Sequence, residues 1–135
     1  MQLLNRTPSI EEYIHLCDSV GWTDFMNYKA AETSLYQSLF AVTVKENDQV
    51  IGMGRIIGDG AIYFYIQDIV VHPDYQGKGI GKEIMQALLQ YLKDHAPDKA
   101  FVGLFASEGK TQFYENFGFQ DYSPGMTGMF QVIEK

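Results

Sequence analysis

Ile66-Gln67-Asp68-Ile69-Val70-Val71-His72-Pro73-Asp74-Tyr75-Gln76-Gly77-Lys78-Gly79-Ile80-Gly81-Lys82 decides how this chain folds. It opens as an apolar, β-branched run, the pattern of a buried strand. His72-Pro73-Asp74-Tyr75 breaks that strand, because proline offers no N–H and pushes the residue before it away from helix. Glycines then alternate at 77, 79 and 81. Directly after them Ile80, Ile84, Leu88, Tyr91 and Leu92 recur at steps of three and four, which gives a helix with one apolar face. The unit reads as strand, glycine loop, helix N-terminus. Such a unit turns unpaired backbone N–H groups and the positive end of a helix dipole toward one space. An anion, a phosphate before any other, suits that space.

Spacing narrows the choice of phosphate ligand. A P-loop would place glycine at 76 and a hydroxyl at 83, where Gln76 and Glu83 stand. The dinucleotide fingerprint would require glycine at 82, where Lys82 stands. A glycine-rich stretch can also be a mere connection, but a connection needs one glycine. Three at a helix start carry a conformational cost, which close backbone approach to a ligand explains.

The pattern that does fit is Gln-x-x-Gly-x-Gly, met by Gln76-Gly77-Lys78-Gly79-Ile80-Gly81 after a strand ending in Val71-His72-Pro73. Here the chain resembles the GNAT superfamily of acyl-CoA-dependent N-acetyltransferases. A second segment, Phe113-Tyr114-Glu115-Asn116-Phe117-Gly118-Phe119, meets the Phe-Tyr-x-x-x-Gly-Phe pattern often carried by that family. The resemblance implies an α/β (α+β) fold. Its central sheet is mixed and mostly antiparallel, flanked by helices, and a splayed parallel strand pair holds acyl-CoA. It also implies one domain over residues 1–135, acetyl-CoA as cosubstrate, no metal, and a primary amine or protein amino group as acceptor. Relatives commonly dimerise, so a homodimer is expected.

The composition agrees with that class. The 135 residues, 46% hydrophobic and 14% aromatic, suit one globular domain with a core of its own. No apolar run reaches membrane-spanning length and the first residues do not read as a secretory signal, so neither a membrane nor export is expected. The single cysteine, Cys17, points to a reducing, cytoplasmic setting. A formal charge of −7 argues against nucleic acid as a direct ligand and mildly favours cationic substrates.

Taken in order, Ser9 and Glu12 read as the capping box of a helix over 10–20, with Ile10, Tyr13, Ile14 and Cys17 inward. Trp22, Phe25 and Tyr28 precede or open a second helix ending near Ser38, and each is open to two readings, core or acceptor groove. Residues 40–45 and 50–57 form a hairpin about Asn47-Asp48, and Gly52 and Gly54 inside the return strand hint at a bulge or close packing. The central strand follows over about 61–71. After the helix come a buried parallel strand at 100–106, a short helix capped by Ser107, and a closing strand at 126–133.

By the resemblance, backbone groups of Ile69, Val70 and Val71 bond pantetheine. The N–H groups from Gln76 through Gly77, Lys78, Gly79, Ile80, Gly81 and Lys82 hold pyrophosphate, with charge from the two lysines. Tyr114 faces the coenzyme sulfur and is the candidate general acid; otherwise it is a core aromatic. Family members often carry a carboxylate base on the central strand. Gln67 cannot titrate, so Asp68 is the candidate, against a structural carboxylate or a water relay. In a regular strand Asp68 and Ile69 face opposite sides, so one turns away from the slot unless a bulge intervenes. Tyr122, Met126 and Met129 are candidates for the acceptor groove or for core. The segment Gly125–Phe130 resembles a subgroup of small members that includes plastid enzymes acetylating arylalkylamines and protein amino groups. A non-catalytic acyl-CoA-binding sensor is the alternative to an enzyme.

Overall fold

A short first strand, β1 (Gln2–Leu4), was not expected from the sequence, because three residues are too few to show a strand period. It pairs antiparallel with β2 (Phe40–Glu46). The computed structural model describes residues 1–135 and divides into two units, Met1–Leu104 and Phe105–Lys135.

The first unit holds α1 (Ile10–Ser19), α2 (Tyr28–Tyr36), β3 (Gln49–Gly58), β4 (Tyr63–Val71), α3 (Ile80–His95) and β5 (Phe101–Gly103). Its sheet runs β1-β2-β3-β4-β5, antiparallel as far as β4 and parallel between β4 and β5, as expected of the fold. The capping box of α1 is formed: Ser9 Oγ accepts from Glu12 N–H at 3.1 Å, and Glu12 Oε1 accepts from Ser9 N–H at 2.8 Å. Asn47 and Asp48 both take positive φ, 52° and 65°, which is the backbone a two-residue hairpin needs. At the next turn Asp59 Oδ1 accepts from the N–H groups of Ala61, Ile62 and Tyr63. Those bonds hold its carboxyl below the usual range and delay the start of β4 to Tyr63.

The sheet is packed on both sides. Tyr13, Leu16 and Cys17 of α1 and Ala31 and Leu35 of α2 join Val50, Met53 and Val70 in one buried cluster. Cys17 is fully buried and burial pushes its thiol up to about 11, so it is packing rather than chemistry. On α3 the predicted apolar face is confirmed, with Ile80, Ile84, Met85, Leu88 and Leu92 buried. Burying such a side chain contributes about 1.5–3 kcal/mol.

Two expectations need correction here. The strand predicted over 100–106 is paired only at Phe101–Gly103, against Tyr63–Tyr65, and Phe101 is 44% exposed. Apolar content alone had suggested a longer, buried strand. Ser107 does not cap a helix; its carbonyl accepts from Lys110 N–H in a turn, and α4 (Thr111–Glu115) begins later.

The second unit contains α4, with Gly118 (φ 92°) ending its helical turn. Phe113 packs edge-on to Phe117 at 5.3 Å and to Tyr114 at 5.0 Å. The closing strand predicted at 126–133 is not formed. Those residues join no ladder and are exposed, Met129 at 86%, because alternation supplies no edge for a strand to pair with.

Candidate functional site

The decisive stretch folds as its sequence dictates. β4 ends at Val71, a single 3₁₀ turn spans Pro73–Tyr75, and α3 starts at Ile80. Gln76 folds back, its Nε2 donating to the Val71 carbonyl at 2.9 Å, so loop and strand end are tied together. Gly77 and Gly79 take φ of 78° and 83°, a region costly to residues with a side chain, and a Cβ on either would meet open space. Backbone conformation, not crowding, is what demands glycine there.

Gly79 caps α3 without a side-chain bond, and the first bond along the helix is Glu83 N–H to the Gly79 carbonyl at 3.1 Å. The N–H groups of Gly77 through Lys82 therefore donate to no protein acceptor. Lys78 and Lys82 are exposed beside them, and Lys78 Nζ stands 5.3 Å from the Tyr75 ring centroid. A run of free amides at the N-terminus of a sixteen-residue helix, with two cations nearby, fits a pyrophosphate. His72 is a loop residue: its Nδ1 accepts from Asp74 N–H at 3.2 Å, and its ring stacks on His15 at 5.7 Å.

β4 and β5 share only the pairs Tyr63–Phe101, Phe64–Val102 and Tyr65–Gly103. From Ile66 to Val71 the β5-facing edge of β4 has no ladder, which leaves its backbone groups available to a ligand laid along it. Ile69, Val70 and Val71 belong to that stretch. The Val71 carbonyl already serves Gln76.

A bulge sits in the same strand. Met53 pairs with Val70 and Arg55 with Gln67, so Asp68 and Ile69 together stand opposite Gly54. Asp68 takes φ 56°, an uncommon backbone for a side-chain-bearing residue that aspartate tolerates better than most. The bulge sends the two side chains apart. Ile69 packs toward Gly54, beside Ile84 and Leu88 of α3. Asp68 turns to the opposite helices, where its Oδ2 accepts from Arg55 Nε at 2.8 Å and from the Tyr13 hydroxyl at 2.9 Å.

Arg55 went unnoticed in the sequence, yet it organises this region. Only 6% exposed, it donates through Nη1 to the Ser34 carbonyl and Ser38 Oγ and through Nη2 to Ser34 Oγ, so it ties α2 to β3 and β4. The signal was present: a lone charge inside Val50-Ile51-Gly52-Met53-Gly54-Arg55-Ile56-Ile57 must find a buried partner. Removing one member of such a buried pair typically costs about 3–5 kcal/mol. Burial, with the Asp68 charge next in importance, pushes the Tyr13 phenol far above its ordinary range, so it stays a donor.

Of the aromatics assigned to core or groove, Trp22 and Tyr28 are half-buried against the α1–α2 cluster, and the Tyr28 hydroxyl lies 2.9 Å from Thr23 Oγ1. Phe25 is 81% exposed. In the second unit Tyr114 is half-buried, edge-on to Phe113 and to Phe119 at 6.5 Å, and burial pushes its phenol upward. Met126 and Tyr122 are exposed, so they are not core.

Comparison with known proteins follows the same lines. The model of the acetyltransferase (GNAT) domain matches residues 11–128, and the chain belongs to that family. An uncharacterized N-acetyltransferase, ycf52, of Porphyra purpurea is 33% identical over 132 residues, covering 94% of this chain and 75% of its own. The histone acetyltransferase TAP1 of Glycine max is 34% identical over 125 residues, 85% of this chain and 53% of its own. Among solved structures, the Staphylococcus aureus protein SA2161 superposes with a TM-score of 0.89 at 35% identity, over 98% of each chain. No helix of the chain is long and apolar enough to cross a membrane.

Proposed function

We propose that the protein is an N-acetyltransferase that moves the acetyl group of acetyl-CoA to a primary amine by direct attack in a ternary complex. The observation that carries this reading is the run of unpartnered amides from Gly77 to Lys82 at the start of α3, at the end of a strand whose β5-facing edge is free. Those amides hold the pyrophosphate, with Lys78 and Lys82 supplying charge, and the backbone of Ile69, Val70 and Val71 holds the pantetheine. No side chain of the reading calls for a metal.

Acetyl-CoA supplies the electrophile, a thioester carbonyl, and the leaving thiolate. The lone pair of the neutral amine forms the new C–N bond, and Asp68 takes a proton from that nitrogen, whose N–H pair remains as the lone pair of the product amide. The C–S pair leaves with sulfur, and the Tyr114 hydroxyl gives that sulfur its proton. Exchange with solvent then returns a proton to Tyr114 and removes one from Asp68. A strand N–H at Val71 or its neighbour polarises the carbonyl. Trp22, Phe25 and Tyr28 border the acceptor, with Phe25 exposed enough to meet it. The relative from Glycine max, named for histone acetylation, supports keeping protein amino groups among the acceptors.

Thiol release from acetyl-CoA is the test, run with spermidine, tryptamine, glucosamine and a lysine-containing peptide. Amine-dependent thiol release, with the acetylated amine recovered, supports the reading. Tight acetyl-CoA binding without turnover on any of them would favour an acyl-CoA sensor instead.

A further inference from the structure

The Asp68 carboxylate is bound on one side only. Oδ2 accepts from both Arg55 Nε and the Tyr13 hydroxyl, while Oδ1 accepts from no protein donor. Every buried side-chain oxygen and nitrogen of the chain has a partner, so Oδ1, without one, is not sealed in. Asp68 as a residue is nonetheless only 8% exposed. A free carboxylate in such a place would swing about its side-chain torsion. Here a guanidinium and a phenol, both buried and both themselves fixed, hold one oxygen and leave the other open.

The fixing runs deep. Arg55 makes three further hydrogen bonds, to Ser34 in α2 and to Ser38 just beyond it, so its fork is anchored in a second element. Tyr13 is 2% exposed within the α1–α2 cluster. The charged and titratable groups around Asp68 are Arg55 from β3 and Tyr13 and Cys17 from α1; the serines of α2 reach it only through Arg55. Tyr13 is too deeply buried to touch a substrate, and Arg55 commits Nε to Asp68 and both Nη atoms to Ser34 and Ser38.

We infer that Arg55 is a positioning residue for acetyl transfer: by holding Asp68 through Oδ2, with Tyr13 as its second clamp, it presents Oδ1 alone to the incoming amine. The inference rests on the reading of Asp68 as base. It adds a division of labour within one carboxylate, Oδ2 for orientation and Oδ1 for the proton. A carboxylate held in this way loses little freedom when the amine arrives, and that is where a rate gain comes from.

A kinetic double-mutant cycle separates this role from a merely structural one. Arg55→Lys keeps the charge and loses the fork, Asp68→Asn keeps the shape and loses the base, and the third variant carries both changes. Turnover is measured with acetyl-CoA and, as acceptors, spermidine, tryptamine and a lysine-containing peptide, with the melting temperature of each variant beside it. Arg55→Lys alone should lower kcat about tenfold with little change in the KM for acetyl-CoA, and Asp68→Asn should lower kcat by about a hundredfold. Added to Asp68→Asn, the Arg55→Lys change should cost no further kcat. Tyr13→Phe, which removes one hydrogen bond from a packed ring, should give a smaller loss that also vanishes in the Asp68→Asn background.

Losses that multiply would overturn the inference and leave Asp68 standing as base. Wild-type turnover in Asp68→Asn would overturn both. Loss of melting temperature with unchanged kcat in Arg55→Lys and Tyr13→Phe would make the network structural only.

Discussion

A Cβ placed on Gly54 would lie 2.7 Å from Ile69 Cδ1 and 2.5 Å from Ile84 Cγ2. The glycine of β3 thus leaves the room that the bulged residue of β4 fills under α3. Gly54→Ala is expected to destabilise the protein by about 1–3 kcal/mol through overpacking, even though alanine suits a strand no worse than glycine. Thermal unfolding checks this, and an unchanged melting temperature would mean that Ile69 and Ile84 are free to move aside.

Gly79 presents the opposite case, because its added Cβ would touch nothing and only its φ of 83° is special. Gly79→Ala should weaken coenzyme A binding by roughly fivefold to thirtyfold, the equivalent of the 1–2 kcal/mol that a left-handed backbone costs. Gly79→Asn should lose less, since asparagine tolerates that region. Calorimetric titration with coenzyme A distinguishes them. Equal affinity in all three proteins would dismiss the loop as the pyrophosphate cradle.

Burial holds the Tyr114 phenol above its ordinary value of 10.0, so the protonated form persists further into alkaline conditions than a free tyrosine would allow. If it is the acid, any alkaline decline of kcat that belongs to Tyr114 must lie above pH 10, and Tyr114→Phe should lower kcat by roughly a hundredfold. A pH–rate profile of both proteins is the measurement. Unchanged kcat in Tyr114→Phe would return this residue to packing.

The start of α1 gives a stability test remote from the chemistry. Ser9→Ala removes the Oγ that accepts from Glu12 N–H and should cost about 1 kcal/mol in denaturant unfolding. Burial works against the Glu12 carboxylate, but bonds from Arg6 and the Ser9 N–H hold it below its ordinary 4.5. Its contribution is therefore present above that pH and fades as the pH falls through its lower, folded-state value. Unfolding of wild type and Glu12→Gln should differ at pH 7 and converge in acid; a constant gap would show that the carboxylate's charge is not involved.

What could be read from the sequence alone was local. The capping box at Ser9 and Glu12, the hairpin at Asn47-Asp48, the apolar face of α3 and the glycine loop each rest on residues a few positions apart. Backbone preference and side-chain period act at that range. The resemblance to GNAT acetyltransferases lay in two such segments, around Gly77–Gly81 and Phe113–Phe119, and the domain match spans both.

What the tertiary structure decided was everything that depends on partners far along the chain. The bulge that sends Asp68 one way and Ile69 the other arises from the register between β3 and β4, which no spacing in either strand reveals. Arg55 meets Asp68 across that register, and Tyr13 meets it across 55 residues. The pairing of β5 stops after Gly103, and residues 126–133 form no strand, because a ladder needs an edge as well as an alternating pattern. Local sequence set the elements and the anion loop; only long-range packing, which must satisfy each buried charge, chose which oxygen of Asp68 stays free.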